Sequence, residues 1–194
     1  MTLLVVAIDP PEIVRDVAAP GTLWSALADL FPQIFSFFLA FVLLGRYWMA
    51  HHEFVASLKS IDRTIMGATL AYLAFVAFLP FPTALVGEYE QNPVSVVLFA
   101  STLCLVSGME AILFSLAVRR GHTRKRFDAR SFRYGLLQSL TPVVLFAISI
   151  PIAFWNPTLA LLTWLLGIPI GIALARLRPV DARGYVDAMS FTED

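Results

Sequence analysis

Charge is scarce in this chain. Lys, Arg, Asp and Glu make up 14% of its 194 residues and apolar types 58%, whereas a soluble domain carries about 25% and roughly 45–50%. A water-soluble globule is thereby excluded. Neither sign is in excess, since 14 Lys and Arg face 14 Asp and Glu with three His besides. The net basic footprint of a nucleic-acid-binding protein is therefore missing. Cysteine is nearly absent: Cys104 stands alone within an apolar run, which excludes an intramolecular disulfide framework and any cysteine metal cluster. Its expected role is simply to pack. Low-complexity tracts are lacking too, and 12 Pro and 10 Gly are spread along the chain, so disorder is expected only in the polar tail, residues 181–194. No GxSxG, HExxH, P-loop or dinucleotide fingerprint occurs. Glu110, Arg46 and the His51-His52 pair are too few polar groups to specify a reaction inside apolar segments, so the reading is a non-enzyme without cofactor or metal.

What the chain does have is long apolar runs. A hydrocarbon core of about 30 Å takes roughly 20 helical residues to cross. Five runs approach or reach that length: 34–49, opened by 23–32; 64–79, stopped by Pro80 and Pro82; 94–118; 134–155; and 158–175. Runs that are apolar all round present no face suited to water and belong in lipid. The fold class expected is an all-α integral membrane protein, with spans at about 32–50, 63–79, 94–118, 134–155 and 158–176 in a single domain over 1–180. Before them, residues 1–8 are apolar and end at Asp9-Pro10-Pro11-Glu12. Eight helical residues cover only about 12 Å. Without a basic n-region or a convincing cleavage site they do not resemble a signal peptide, and they read as the C-terminal half of a span.

Charge placement supports that reading independently. The segment after residue 8 holds Arg15 against Asp9, Glu12, Asp16 and Asp29. The next connection holds Lys59 and Arg63, the one after it Glu88 and Glu90, and the one after that seven bases between Arg119 and Arg133. The turn at Trp155-Asn156-Pro157 is uncharged, and the tail carries Arg176, Arg178 and Arg183. Basic and non-basic connections alternate, so the positive-inside rule puts the 119–133 loop and the C-terminus in the cytoplasm of a multi-pass cell-membrane protein. The expectation that follows is a start lying upstream of Met1, with six spans in the complete protein and five and a half in this chain.

Thr2-Leu3-Leu4-Val5, Tyr47-Trp48-Met49-Ala50-His51-His52 and the run from Phe78 through Leu79-Pro80-Phe81-Pro82-Thr83 to Tyr89 resemble the transmembrane protein 175 family of potassium channels, in its bacterial six-span form. The similarity extends over most of the chain. It implies a homotetramer in membrane lipid that passes potassium ions, with the first helix of each subunit lining the pore. Leu3 and Val6 would then form the hydrophobic constriction, and Thr2 would supply a hydroxyl ring. Apolar rings stop conduction by dewetting and oxygen rings replace hydration water. Without the resemblance, Leu3 and Val6 are ordinary packing or lipid-facing residues. The family signature, Arg, three residues, then Phe-Ser-Asp, is not in this chain. Its implied polar partners are Trp48 and His52, with Thr69 where the family tends to place Asn.

Other constellations each have a plainer reading beside the functional one. Glu110 is the one acid deep within a run and, as an intramembrane carboxylate, marks a candidate functional site. Arg46, at a similar depth, is its expected partner, and a buried ion pair that fixes helix packing is preferred to an ion-pathway role. His51-His52-Glu53 is not a zinc motif, because adjacent helical side chains point about 100° apart. Gly167 and Gly171 form a small-xxx-small pair suited to close helix approach. The basic loop sets topology, with anionic lipid as a further partner. A proton-coupled transporter, with Glu110 as carrier and Pro142, Pro151 and Pro169 breaking helices, is the rival function. A non-conducting membrane scaffold is the other alternative.

Overall fold

The computed structural model of the protein describes residues 24, 28, 30–124 and 128–176. Its helices are α1 (Phe31–Ala56), α2 (Arg63–Phe78), α3 (Pro80–Glu88), α4 (Pro93–Arg119), α5 (Ala129–Trp155), α6 (Pro157–Trp164) and α7 (Gly167–Arg176). Polar side chains mark where several of them start. Asp62, Asn92, Asp128 and Asn156 each accept a backbone N–H from the first turn that follows, those of Ile65, Val94, Ser131 and Leu159, at 2.7–3.1 Å. Each cap satisfies one of the donors that a helix N-terminus leaves unpaired. Among the described residues, five segments are long and apolar enough to cross a membrane: Gln33–Ala56, Arg63–Glu88, Pro93–Arg119, Ala129–Trp155 and Pro157–Leu174.

Two boundaries differ from those expected. Pro80 and Pro82 do not end the second span. Leu79 is itself helical, at φ −49° and ψ −39°, and α3 begins at once, so α2 and α3 together cross as one unit. The prolines sit in the first turn of α3, where a missing N–H costs little. Thr83 steadies the joint by donating from both its hydroxyl, at 2.8 Å, and its N–H, at 3.2 Å, to the Leu79 carbonyl. The last span, by contrast, is interrupted by a turn at Leu165-Leu166, which separates α6 from α7. Pro169 is the physical reason: it has no N–H and its ring collides with the carbonyl four residues back. Pro142 and Pro151 lie inside α5 without interrupting it.

Helix α4 is the centre of the bundle. Half of its apolar window is buried, and Ala100, Ser107, Ala111 and Ala117 are among its buried residues. Small side chains matter because helices in lipid gain little from hydrophobicity and associate through close packing. α4 packs most extensively against α5, and also against α2, α3 and α6, while α1 packs against α3. Trp164 on α6 is wedged between Phe99 on α4 and Phe146 on α5, with ring centroids 5.0 and 5.6 Å away.

Both basic connections lie at one end of the bundle and are tied together there. Lys59 N–H donates to the His122 carbonyl and Arg124 N–H to the Ser57 carbonyl, each at 2.9 Å, around an isolated antiparallel bridge between Leu58 and Thr123. Gly121, at φ +68°, makes the turn that permits this. At the opposite end, Gln91 in the acidic connection bonds Thr158 at 3.3 Å. The sorting of connections by charge thus corresponds to two physical ends of the molecule.

Candidate functional site

Polar chemistry inside the bundle converges on one stretch of α1. Tyr47 is buried, and its hydroxyl lies 2.9 Å from Ser107 Oγ on α4. The Tyr47 carbonyl accepts a 2.8 Å hydrogen bond from the hydroxyl of Tyr72, a fully buried residue of α2. One turn on, the His51 ring stacks on Tyr72, centroids 5.1 Å apart and planes 24° from parallel. Three spans are therefore joined by two hydroxyls and one ring stack. About 100° round α1 from Tyr47, Trp48, 61% exposed, is stacked on His52 at 5.4 Å and 15°.

The expected polar set is only partly brought together. Trp48 and His52 meet as helical neighbours four residues apart do, but Thr69 is half-buried on α2 with no hydrogen bond to either. The two histidines point to different partners, Tyr72 and Trp48, as their 100° separation requires. Among the described residues no group of three His, Cys, Asp or Glu side chains could hold a metal ion. Arg46 is the charge that acts most strongly on Glu110, with Glu53 next. The two form no direct ion pair, and the Arg46 guanidinium instead lies 6.0 Å from the centre of the Tyr47 ring. Their depth in the sequence matches, but the expected ion pair between them is not formed. Thr2, Leu3 and Val6 lie outside the described residues. Cys104 packs with its sulfur 3.5 Å from the Val143 carbonyl. A side chain at Gly167 would meet Leu145 at 3.3 Å, whereas Gly171 has open space, so one glycine of the pair is closely approached.

A second polar cluster sits where the basic connections meet. Asp62 binds Arg120 at 2.6 Å and faces His122 at 3.5 Å. Arg120 also donates to Thr64 at 3.1 Å, His122 Nδ1 lies 2.8 Å from Ser60 Oγ, and Arg124 Nε donates to the Leu58 carbonyl. The Ile65 N–H, followed by the Arg120 guanidinium, holds the Asp62 carboxyl below the usual carboxylate range. Charge alternation identifies these bases as topology signals but does not pair them with Asp62, which is 58 residues away from Arg120. The hydroxyls of Tyr47 and Tyr72, placed in apolar runs, were the available signal for the inner site, because a buried hydroxyl needs a partner.

An all-helical bundle of membrane-crossing length, with its bases sorted to one end and a polar junction between three spans, defines a multi-pass integral membrane protein. Residues 1–80 match the model of the endosomal/lysosomal potassium channel TMEM175 family. A potassium channel of Streptomyces collinus is 28% identical over 166 residues, which cover 83% of this chain and 79% of that one. One of Chamaesiphon minutus is 31% identical over 93 residues, or 48% of this chain and 45% of its own. The fold also matches the crystal structure of a lysosomal potassium-selective channel TMEM175 homolog from Chamaesiphon minutus, with a TM-score of 0.70, 22% identity and 89% of each chain covered. Over residues 1–80 the chain is thus similar to the TMEM175 family, and its fold is that of a TMEM175 homolog.

Proposed function

We propose that this chain is a subunit of a potassium-preferring leak channel in the cell membrane, assembled as a homotetramer around a pore lined by its first helix. The observation that carries the proposal is similarity over 83% of the chain to a protein described as a potassium channel. In this reading the acidic end of the bundle, with exposed Glu88 and Glu90, faces outward and concentrates cations near the mouth. Ions then meet Thr2, Leu3 and Val6, where hydroxyls help shed water and apolar rings set the barrier. The basic connections and the C-terminus face the cytoplasm.

The transporter reading loses part of its support, because Pro142 and Pro151 leave α5 unbroken. The test is flux through purified protein in liposomes under opposed potassium and sodium gradients. Potassium-driven uptake that needs no coupled ion is expected, and Leu3→Ala or Val6→Ala should weaken discrimination against sodium. Absence of any cation flux would favour a non-conducting scaffold, and a fixed coupling stoichiometry would favour a transporter.

A further inference from the structure

Helix α1 poses a physical problem that its apolar residues do not solve. Only 22% of its apolar window is buried. The inward face presents Ser36, Ala40, Leu44 and Tyr47, and the outward face Phe35, Phe38, Val42 and Met49. Lipid tails are as apolar as Leu, so burial of one apolar face instead of another gives almost no preference for a rotation about the helix axis. Close packing on α3 contributes, and directed bonds can define the rotation sharply. Tyr47 is the residue at which α1 is hydrogen-bonded to two other spans, through its carbonyl to Tyr72 on α2 and through its hydroxyl to Ser107 on α4. The carbonyl bond is especially restrictive. A backbone oxygen cannot follow a rotamer change, and it accepts the Tyr72 proton on a lone pair left over from the helical ladder.

We infer that Tyr72 is a positioning residue that fixes the rotation of α1, through the Tyr47 carbonyl and with Ser107 as second tether, and thereby sets which α1 side chains face away from the subunit core. A turn of one residue spacing, about 100°, would carry Tyr47 toward lipid and bring Trp48 inward. The His51–Tyr72 stack adds a flat contact on the same side, so a Tyr72→Phe change removes the hydroxyl while the ring and stack remain. The expected consequence for ion discrimination rests on the channel reading above, whereas the rotational consequence does not.

The test is a distance measurement combined with flux. In a Cys104→Ala background, nitroxide labels at Met49 on α1 and Leu105 on α4, both exposed, are read by pulsed electron resonance in nanodiscs, with labelled subunits diluted in unlabelled protein. Tyr72→Phe is expected to keep the oligomer and the melting temperature near wild type. It should broaden the distance distribution and move it by about 5 Å or more, because side-chain tips lie about 5–6 Å from a helix axis. Ser107→Ala should produce a smaller shift, and Ser107→Thr, which keeps the hydroxyl, none. In liposomes Tyr72→Phe should lower potassium-over-sodium discrimination severalfold. Distributions that superimpose for wild type, Tyr72→Phe and Ser107→Ala would overturn the positioning role. A shifted distribution together with a wild type that carries no flux would support the positioning role and overturn the channel reading.

Discussion

Asp62 shows how much one side chain outside the apolar runs can organise. Its carboxylate caps α2 at the Ile65 N–H and simultaneously binds Arg120. Two substitutions separate those roles. Asn retains the capping oxygen but has no charge, whereas Ala has neither. Asp62→Ala is expected to lower the melting temperature by a few degrees, and Asp62→Asn by less. The sign with pH follows from the depressed carboxyl. Stability from the charged form is fully present above the unfolded-state value and is lost as pH falls through the lower folded-state value. The melting difference between wild type and Asp62→Asn should therefore persist at neutral pH and disappear on the acid side of the usual carboxylate range. A difference that stayed constant down to strong acid would rule out the charge as its source. At this scale legibility was uneven. Trp48 and His52 entered together only through the family resemblance, and Tyr72 with Tyr47 or Asp62 with Arg120 could not be paired at all, because a hydroxyl or carboxylate in sequence shows a need for a partner and not which helix supplies it.

Helix boundaries were readable to the extent that they depend on local chemistry. The apolar lengths give five crossings, and the Asp and Asn caps mark four of the starts. Proline misled at Pro80 and Pro82, because its effect depends on position within the turn. In the first turn of α3 it permits continuation, and at Pro169 it accompanies a break. How closely helices approach is not a local property at all. Gly135 on α5 faces Phe114 on α4, and a β-carbon there would lie 2.7 Å from the ring tip and 2.9 Å from its neighbouring carbon. The ring has limited room to yield because it is stacked on Phe132 at 5.7 Å and 14°. Gly135→Ala would gain about 1 kcal/mol in helix propensity, but overpacking of about 1–3 kcal/mol opposes it. Net destabilisation is expected in thermal melts of detergent-solubilised protein. Phe114→Leu in the same chain should restore part of the loss, since the two changes share one contact. Additive losses would mean that the ring is not the obstacle.

At the scale of the whole molecule, the two ends are distinguished by charge and by construction. Connections 57–62 and 120–124 are bonded to each other at the basic end, while Gln91 and Thr158 meet at the other. Two ends were readable from sequence because the positive-inside rule sums charges along each connection and needs no knowledge of packing. The pore layers proposed at Thr2, Leu3 and Val6 rest on resemblance alone, since a ring of side chains around a shared axis would be a property of several subunits that no single chain's periodicity encodes. Orientation is open to a direct test with the exposed residues Lys59 and Glu90. In a Cys104→Ala background, Glu90→Cys should react with a membrane-impermeant maleimide in intact cells, and Lys59→Cys only after permeabilisation. Because the two basic connections are hydrogen-bonded to each other, both must lie on one side of the membrane, so a single label reports on the pair. Labelling of Lys59→Cys in intact cells with protection of Glu90→Cys would invert the topology, and it would place the acidic connection where it cannot gather cations entering from outside.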